Sequence, residues 1–361
     1  MAKDILRVAM VSGAGIGANH ITCWMSLEKK AKITAVFDVD AELAKNSAHM
    51  AGDVPWTTSY EELLARGDVD AVDICSPPFV HADQIVAAAK AGKHVLCEKP
   101  FAVNLDDADR SIAACKQAGV KLMVAFPRPF NAASRRLKEM VATGELGKPI
   151  RIYTSHHMRA EWIRKRTGWF WDPKKSGGTS IEGVIHDFHF LPWLFGPAER
   201  IYAEAGTFIY TDREPTLPDD QLVVLWRFKN GAIGIIDGGA NMPSNYEGHT
   251  SIFFTEGGVR MERGGGFRIY RGVKDYNGTV EEVHHFGGRV GDDTDLITTA
   301  YHPSGHVGEI SHFADCVLED KESETPGESG RYALECAWAA IKSFQTHQPV
   351  TLPLAKPYPS Y

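Results

Sequence analysis

The stretch Gly92-Lys93-His94-Val95-Leu96-Cys97-Glu98-Lys99-Pro100 runs a buried-strand pattern straight into a charged pair that a proline then stops. Open parallel sheets bind ligands at the carboxyl ends of their strands, so a Glu-Lys pair at that point is expected to do chemistry. Lys99 is the leading catalytic candidate, against the plainer alternatives of a salt bridge with Glu98 or a surface lysine.

Outward from this strand the pattern repeats. Leu6 to Val11, Ile33 to Phe37, Ala71 to Cys75 and Lys121 to Ala125 are further apolar runs, with helical patterns between them. Gln84 to Ala91 and Asp106 to Ala118 end at Gly92 and Gly119, the glycine stop expected just past a helix. Repeated strand-helix-strand units predict a parallel sheet with right-handed crossovers and helices on both faces. After Pro127-Arg128-Pro129 the character changes. One helix near Ala132 to Ala142 precedes β-rich segments at Ile150 to His156, Gln221 to Lys229, Ala232 to Asp237 and His249 to Thr255. Gly264-Gly265-Gly266 and Asn277 to Thr298 read as a turn and a long surface loop, and Val307 to Glu319 and Ser329 to Thr346 as helices. Two domains are expected, 1–127 and 128–361.

At 361 residues, 43% hydrophobic and 24% charged, the chain can bury a full core. The net charge of -7 and the lack of an arginine-rich arm exclude a nucleic-acid binder and favour a small-molecule partner. The amino terminus enters a strand directly, and no segment approaches about eighteen apolar residues, so a soluble cytoplasmic protein without a membrane partner is expected. Cys23, Cys75, Cys97, Cys115, Cys316 and Cys336 show no CxxC spacing and read as reduced core thiols, with no disulfide and no metal.

Ser12-Gly13-Ala14-Gly15-Ile16-Gly17-Ala18-Asn19-His20 follows the first strand, and its small residues would let backbone amides approach a pyrophosphate at a helix amino terminus. In one register Gly13, Gly15 and Ala18 form the fingerprint; in the other Ser12, Ala14 and Gly17 do. Asp38 ends the second strand about twenty residues beyond the turn, where a carboxylate accepts ribose hydroxyls and repels a 2′-phosphate. It favours NAD over NADP unless it merely caps the next helix.

With this turn, Asp38, Ile74-Cys75-Ser76-Pro77-Pro78, His81 and Glu98-Lys99-Pro100, nearly the whole sequence resembles the glucose-fructose oxidoreductase, inositol dehydrogenase and rhizopine-catabolism (Gfo/Idh/MocA) family. Aligned on Ile16-Gly17 and His20, the family's first two glycines fall on Ser12 and Ala14, a departure for which Gly13 and Gly15 could compensate. The resemblance implies an α/β chain: a Rossmann domain, then an α+β domain with a large, mostly antiparallel open sheet that forms the substrate wall and often a homodimer or homotetramer interface. It implies NAD lined by Gly13, Gly15, Ile16, Gly17, Asp38, Ser76, Pro77, His81 and Glu98, with Arg128 near the nicotinamide end and Lys99 on the reacting hydroxyl. The family's second signature appears as Gly177-Gly178-Thr179-Ser180-Ile181-Glu182-Gly183-Val184-Ile185-His186, with Glu182 where inositol dehydrogenases carry Asp and His189 at a commonly acidic position.

Oxidising a secondary alcohol requires a base as hydride leaves, and His186 fits near neutral pH, while Lys99 would stabilise the developing oxyanion. Glu182 and His186, one helical turn apart, are expected to share a face as a coupled pair. The alternatives are a satisfied core histidine before Phe188 and a helix amino-terminal acid. Glu182, His186 and His189, with His156 or His157, also have a spacing that could hold a metal, the minor reading. Between His156 and Asp172, tryptophans and arginines suit a carbohydrate, with Trp162 and Asp172 as the preferred contacts and His156 and His189 as further substrate-binding candidates; alternatively the tryptophans anchor a loop in the core. The leading function is an NAD-dependent dehydrogenase for a sugar, sugar derivative, glycoside or cyclitol. Its rivals are an enzyme that retains NAD for transient oxidation during elimination, epimerisation or glycoside cleavage, and a non-catalytic NAD-binding regulator.

Overall fold

The computed structural model describes residues 5–166, 168–212, 219–242, 248–262, 266–271, 280–285 and 305–360, with side chains excepted at 161, 162, 241, 242, 262, 266 and 280–285. The chain divides into two compact units, one of Met1–Pro127 with Gly305–Arg331, the other of Arg128–Ser304 with Tyr332–Tyr361.

In the first unit, strands β1 (Leu6–Val11), β2 (Ala31–Phe37), β3 (Trp56–Thr57), β4 (Ala71–Ile74), β5 (His94–Glu98) and β6 (Leu122–Ala125) form one sheet in the order β3-β2-β1-β4-β5-β6. All its pairings are parallel. The helices between are α1 (Ile16–Met25), α2 (Ala41–Met50), α3 (Tyr60–Ala65), α4 (Pro78–Lys90) and α5 (Leu105–Ala118). Both faces are covered, which is why β4 and most of β5 are buried on both sides, Asp73 of β4 included. The Asn104 side chain accepts the Asp107 N–H at the start of α5, and Gly119 closes it at φ 67, in the left-handed region.

The same unit recruits a late part of the chain. Helix α10 (His306–Leu318) buries Ile310, Phe313, Ala314 and Cys316, and Phe313 meets Trp24 of α1 edge to face at 6.4 Å. Beyond it, the Val124 N–H of β6 donates to the Thr325 carbonyl at 2.9 Å. A single boundary after Pro127 makes no provision for this return. Nothing local in 305–331 announces it, because an apolar helix face reads the same whichever sheet it covers.

In the second unit, β7 (Pro149–Arg159), β8 (Ala198–Gly206), β9 (Gln221–Phe228), β10 (Ile233–Met242), β11 (His249–Phe254), β12 (Gly257–Glu262), β13 (Gly266–Arg271), β14 (Val280–His285) and β15 (Val350–Thr351) form a nine-stranded sheet in the order β14-β13-β12-β11-β7-β10-β9-β8-β15. Only the β7–β10 pairing is parallel among the described residues. Val280–His285 falls in the stretch expected to be loop, where it adds an edge strand; the rest of 277–298 lies outside the described residues, as do Gly264 and Gly265. Helices α6 (Ala132–Thr143), α7 (Ala160–Arg164), α8 (Pro173–Ser176), α9 (Ile185–Phe195) and α11 (Gly327–Thr346) complete the fold, and the chain passes back into the second unit within α11.

Period-two alternation assigns the sheet's faces. Leu222, Val224, Trp226 and Phe228 of β9 are buried, while Val223 and Leu225 are exposed. On the covered face Phe188 of α9 packs against Trp226 with ring centroids 5.6 Å apart. The register puts Ile152, Thr154 and His156 of β7 on that covered face, facing α9.

Candidate active site

At the first βα turn, Ser12 adopts φ 66 and Gly15 φ 59. Ser12 thus holds a left-handed conformation that glycine takes more readily, the physical content of its departure from the fingerprint. A Cβ on Gly17 would come within 2.2 Å of the Ser12 carbonyl oxygen, and one on Gly13 within 2.4 Å of Ser47, whereas Gly15 faces open space. Ile16 starts α1 and is exposed. At the end of β2 the Asp40 side chain caps α2, accepting from Glu42 and Leu43 N–H groups. Asp38 is therefore not the cap. It is 4% exposed; Oδ1 accepts the Asp40 N–H at 3.1 Å, and Oδ2 is buried with no hydrogen-bond partner among the described residues.

Ser76 donates its hydroxyl to Gln84 Oε1 at 2.5 Å, and Pro77 stands at the amino end of α4. His81 is fully buried, its ring nitrogens 2.9 Å from the Pro100 and 2.6 Å from the Ser76 carbonyl oxygens. Both ring nitrogens thus lie against backbone, one of them donating, and His81 bridges two loops. Glu98 ends β5, its Oε2 accepting the Lys99 N–H at 2.9 Å and its Oε1 3.2 Å from His20 Nε2. Burial opposes the charge on Glu98, yet His20, Lys99 and His306 hold its carboxyl below the ordinary glutamate value. Lys99 itself is half-buried. His20 Nδ1 lies 2.9 Å from Asp73 Oδ2, which also accepts Trp24 Nε1–H at 2.7 Å, and Cys75 Sγ is 3.5 Å from Asp73 Oδ1. His20, Asp73 and Cys75 bring ligand-type atoms within 4.8 Å of one another, where His20 and Cys75 each bond Asp73, and burial pushes the Cys75 thiol up.

The second unit gathers a different cluster. Asp187, in the first turn of α9, is fully buried. Its Oδ1 accepts from Arg128 Nη1 at 2.5 Å and Thr154 Oγ1 at 2.8 Å, and its Oδ2 meets His156 Nδ1 at 2.6 Å. Burial opposes its charge, but Arg128 and His156 drive the carboxyl far below the usual aspartate value. The His156 ring stacks on His186, centroids 6.2 Å apart and planes 21° from parallel. Arg128 also lies 3.7 Å above the Phe190 ring. His189 is 4% exposed, and burial followed by the Arg128 charge presses it down to about 3, so it is a neutral imidazole at neutral pH.

Sequence reasoning missed Asp187, and its signal was weak: an acid beside His186 whose partners lie on β7 and just ahead of α6. The expected Glu182–His186 face does not form as one helix. Glu182 sits in a five-residue π-helical turn, Thr179–Gly183, and α9 begins only at Ile185. The buried Asp219 carboxylate holds that turn by accepting the Thr179 and Ser180 N–H groups at 3.0 and 2.9 Å. Glu182 is buried, and the charge it offsets is the half-buried Arg166. Asp172, expected on substrate, is the N-cap of α8, accepting the Lys174 N–H at 3.0 Å. The Trp162 side chain lies outside the described residues. Phe170 and Trp171 pack with Ile163, Tyr210 and Ala240 in a small satellite core, so part of the aromatic segment anchors the loop.

Two family profiles match this chain. One, described as an oxidoreductase family with an NAD-binding Rossmann fold, covers residues 6–126, and the GFO/IDH/MocA C-terminal domain covers residues 134–260. The chain belongs to the Gfo/Idh/MocA family. This Gfo/Idh/MocA protein is 28% identical over 352 residues to a myo-inositol 2-dehydrogenase of Thermotoga maritima, covering 96% of this chain and 98% of the relative. It is 27% identical over 364 residues to a scyllo-inositol 2-dehydrogenase (NAD+) of Bacillus subtilis, covering 98% of each. Among solved structures, the WlbA dehydrogenase of Bordetella pertussis in complex with NADH and UDP-GlcNAcA superposes with a TM-score of 0.78 at 26% identity, over 97% of this chain and 99% of that one.

The first unit is thus an NAD-binding domain, and its residues fit the cofactor. The buried, unpartnered Asp38 Oδ2 is an acceptor that a ribose hydroxyl would satisfy, and the open space beside Gly15 is where a side chain would obstruct a pyrophosphate.

Proposed function

We propose that this Gfo/Idh/MocA enzyme oxidises a secondary hydroxyl of a sugar, sugar derivative, glycoside or cyclitol, and that it works in the cytoplasm as a homo-oligomer. NAD, when bound, accepts the hydride. Gly13, Gly15, Ile16, Gly17, Asp38, Ser76, Pro77 and Glu98 are the residues that would hold it. Lys99 hydrogen-bonds the reacting oxygen and stabilises its developing charge, and His186 accepts the hydroxyl proton. Arg128 fixes Asp187 instead of serving the cofactor directly, and His189 offers substrate a neutral imidazole.

The observation that carries this reading is the stacked His156–His186 pair backed by Asp187. A carboxylate on one ring nitrogen of His156 sets its orientation, and the stacked neighbour is thereby held in place. Asp187 through His156, not Glu182, is the support proposed for His186. Two of the named relatives are inositol dehydrogenases, and the WlbA complex contains a nucleotide-linked sugar acid, which supports a polyhydroxylated substrate.

A panel of cyclitols, sugars, sugar acids and glycosides incubated with NAD or NADP tests this, with reduced nucleotide read by absorbance and product by mass. NADH formation with at least one member, lost in Lys99→Ala and His186→Ala, is the expected result. Product without net NADH would replace net dehydrogenation by transient oxidation. An effect of the protein in cells that survives both substitutions would leave a non-catalytic regulator.

A further inference from the structure

We propose that His20 is a positioning residue: an imidazolium clamped between Asp73 and Glu98 that fixes Glu98 and, through it, the backbone of Lys99. This rests on the role proposed above for Lys99. The ring is completely buried in the first unit, and each of its nitrogens faces a carboxylate oxygen, Asp73 Oδ2 at 2.9 Å and Glu98 Oε1 at 3.2 Å. A neutral imidazole has one N–H and would turn a lone pair on one of those oxygens; the cation has two N–H groups and suits both. Neither neighbour can swing away easily. Asp73 is pinned by the Trp24 indole N–H at 2.7 Å, and Glu98 uses its other oxygen on the Lys99 N–H at 2.9 Å. Hydrogen bonds thus join His20 to Asp73 and Glu98 to the Lys99 N–H, and the ion-pair approach of His20 Nε2 to Glu98 Oε1, which falls outside hydrogen-bond geometry, links the two.

The groups around the ring are consistent with a cation. Cys23 lies on the same helix, Asp73 and Cys75 come from the end of β4, Glu98 from β5, and His306 and Glu309 from α10. Burial pushes both thiols up, so they are uncharged, and burial with Glu98 and Asp73 nearby lifts Glu309 well above the usual glutamate value. Burial is the largest influence and works against a charge on His20, yet with Asp73 beside it the ring's pKa is raised well above the ordinary imidazole value.

The test uses the full-length protein labelled with 15N-histidine, together with His20→Gln, Glu98→Gln and the double variant. At pH 8 both His20 ring nitrogens of the wild type should carry protons; a neutral ring would overturn the proposal whether or not any substrate is turned over. His20→Gln should lower kcat roughly ten- to hundredfold, with a smaller change in KM for the alcohol. If His20 acts through Glu98, the double variant is no worse than the poorer single one, in kcat and in NADH affinity by fluorescence titration. Additive losses would instead mark a merely structural histidine and sink the idea. If no alcohol is oxidised at all, the dehydrogenase reading falls, while the ring protonation and the NADH-affinity cycle still decide the place of His20.

Discussion

Asp38 shows how much one side chain can say. One oxygen is held by a backbone N–H, and the other is buried without a donor among the described residues, an arrangement that is unfavourable until a ligand supplies one. Asp38→Ala should weaken NAD roughly ten- to hundredfold, from the loss of charge-assisted hydrogen bonds, and should narrow the preference over NADP because the repulsion of a 2′-phosphate goes with it. Kd values for both nucleotides check this, and an unchanged ratio would refute the assigned contact. Although its contact with NAD stays a proposal, the position of Asp38 was legible in the sequence because it stands at a strand end. Asp187 was not, because its role depends on His156, 31 residues upstream on another element. The backbone contacts of His81 were not legible for a related reason, since its carbonyl neighbours belong to Ser76 and Pro100.

At the scale of elements, α9 concentrates the acid sensitivity of the second unit. The folded pKa of Asp187 is depressed, so its contribution is fully present above the unfolded value of 3.8 and is lost as pH falls towards the folded one. His189 is also depressed, to about 3 from 6.5. The unfolded chain therefore takes up that proton first, and stability begins to fall as pH drops through 6.5. Denaturant titrations from pH 7 to 4 should show the wild type losing a few kcal/mol that His189→Gln retains, on the order set by such a shift. Asp187→Asn should cost about 3–5 kcal/mol at pH 7, because it leaves Arg128 and His156 without their buried counter-charge, and should flatten the decline below pH 4. A slope unchanged by either substitution would contradict these assignments. Element positions were readable to within a few residues where the apolar period was strong, as in β1 and α5. The break between Glu182 and His186 was hidden, since four-residue spacing says nothing of a π-helical turn stabilised by Asp219, far along the chain.

Across the molecule, one face of the nine-stranded sheet carries exposed apolar side chains among the described residues. Val223, Leu225 and Phe253 are 47%, 44% and 42% exposed on it, beside Arg151 stacked over Phe253. Exposed apolar side chains interspersed with Arg151 and Asp237 on one face suit association with a second copy. Val223→Lys with Leu225→Lys should lower the mass measured by light scattering to that of one chain, and an unchanged assembly would move the interface elsewhere. The open sheet was expected from the family resemblance, not from local pattern. The placement of Gly305–Arg331 was not foreseen at all, because a long-range return leaves no local trace. That return has a consequence for birth on the ribosome. When Pro127 has emerged, all six strands of the parallel sheet exist, but Trp24 still lacks the helix that covers it. At roughly 5–20 residues per second, the wait for α10 is on the order of tens of seconds, an interval in which chaperones can hold the half-clad nascent domain before it is sealed.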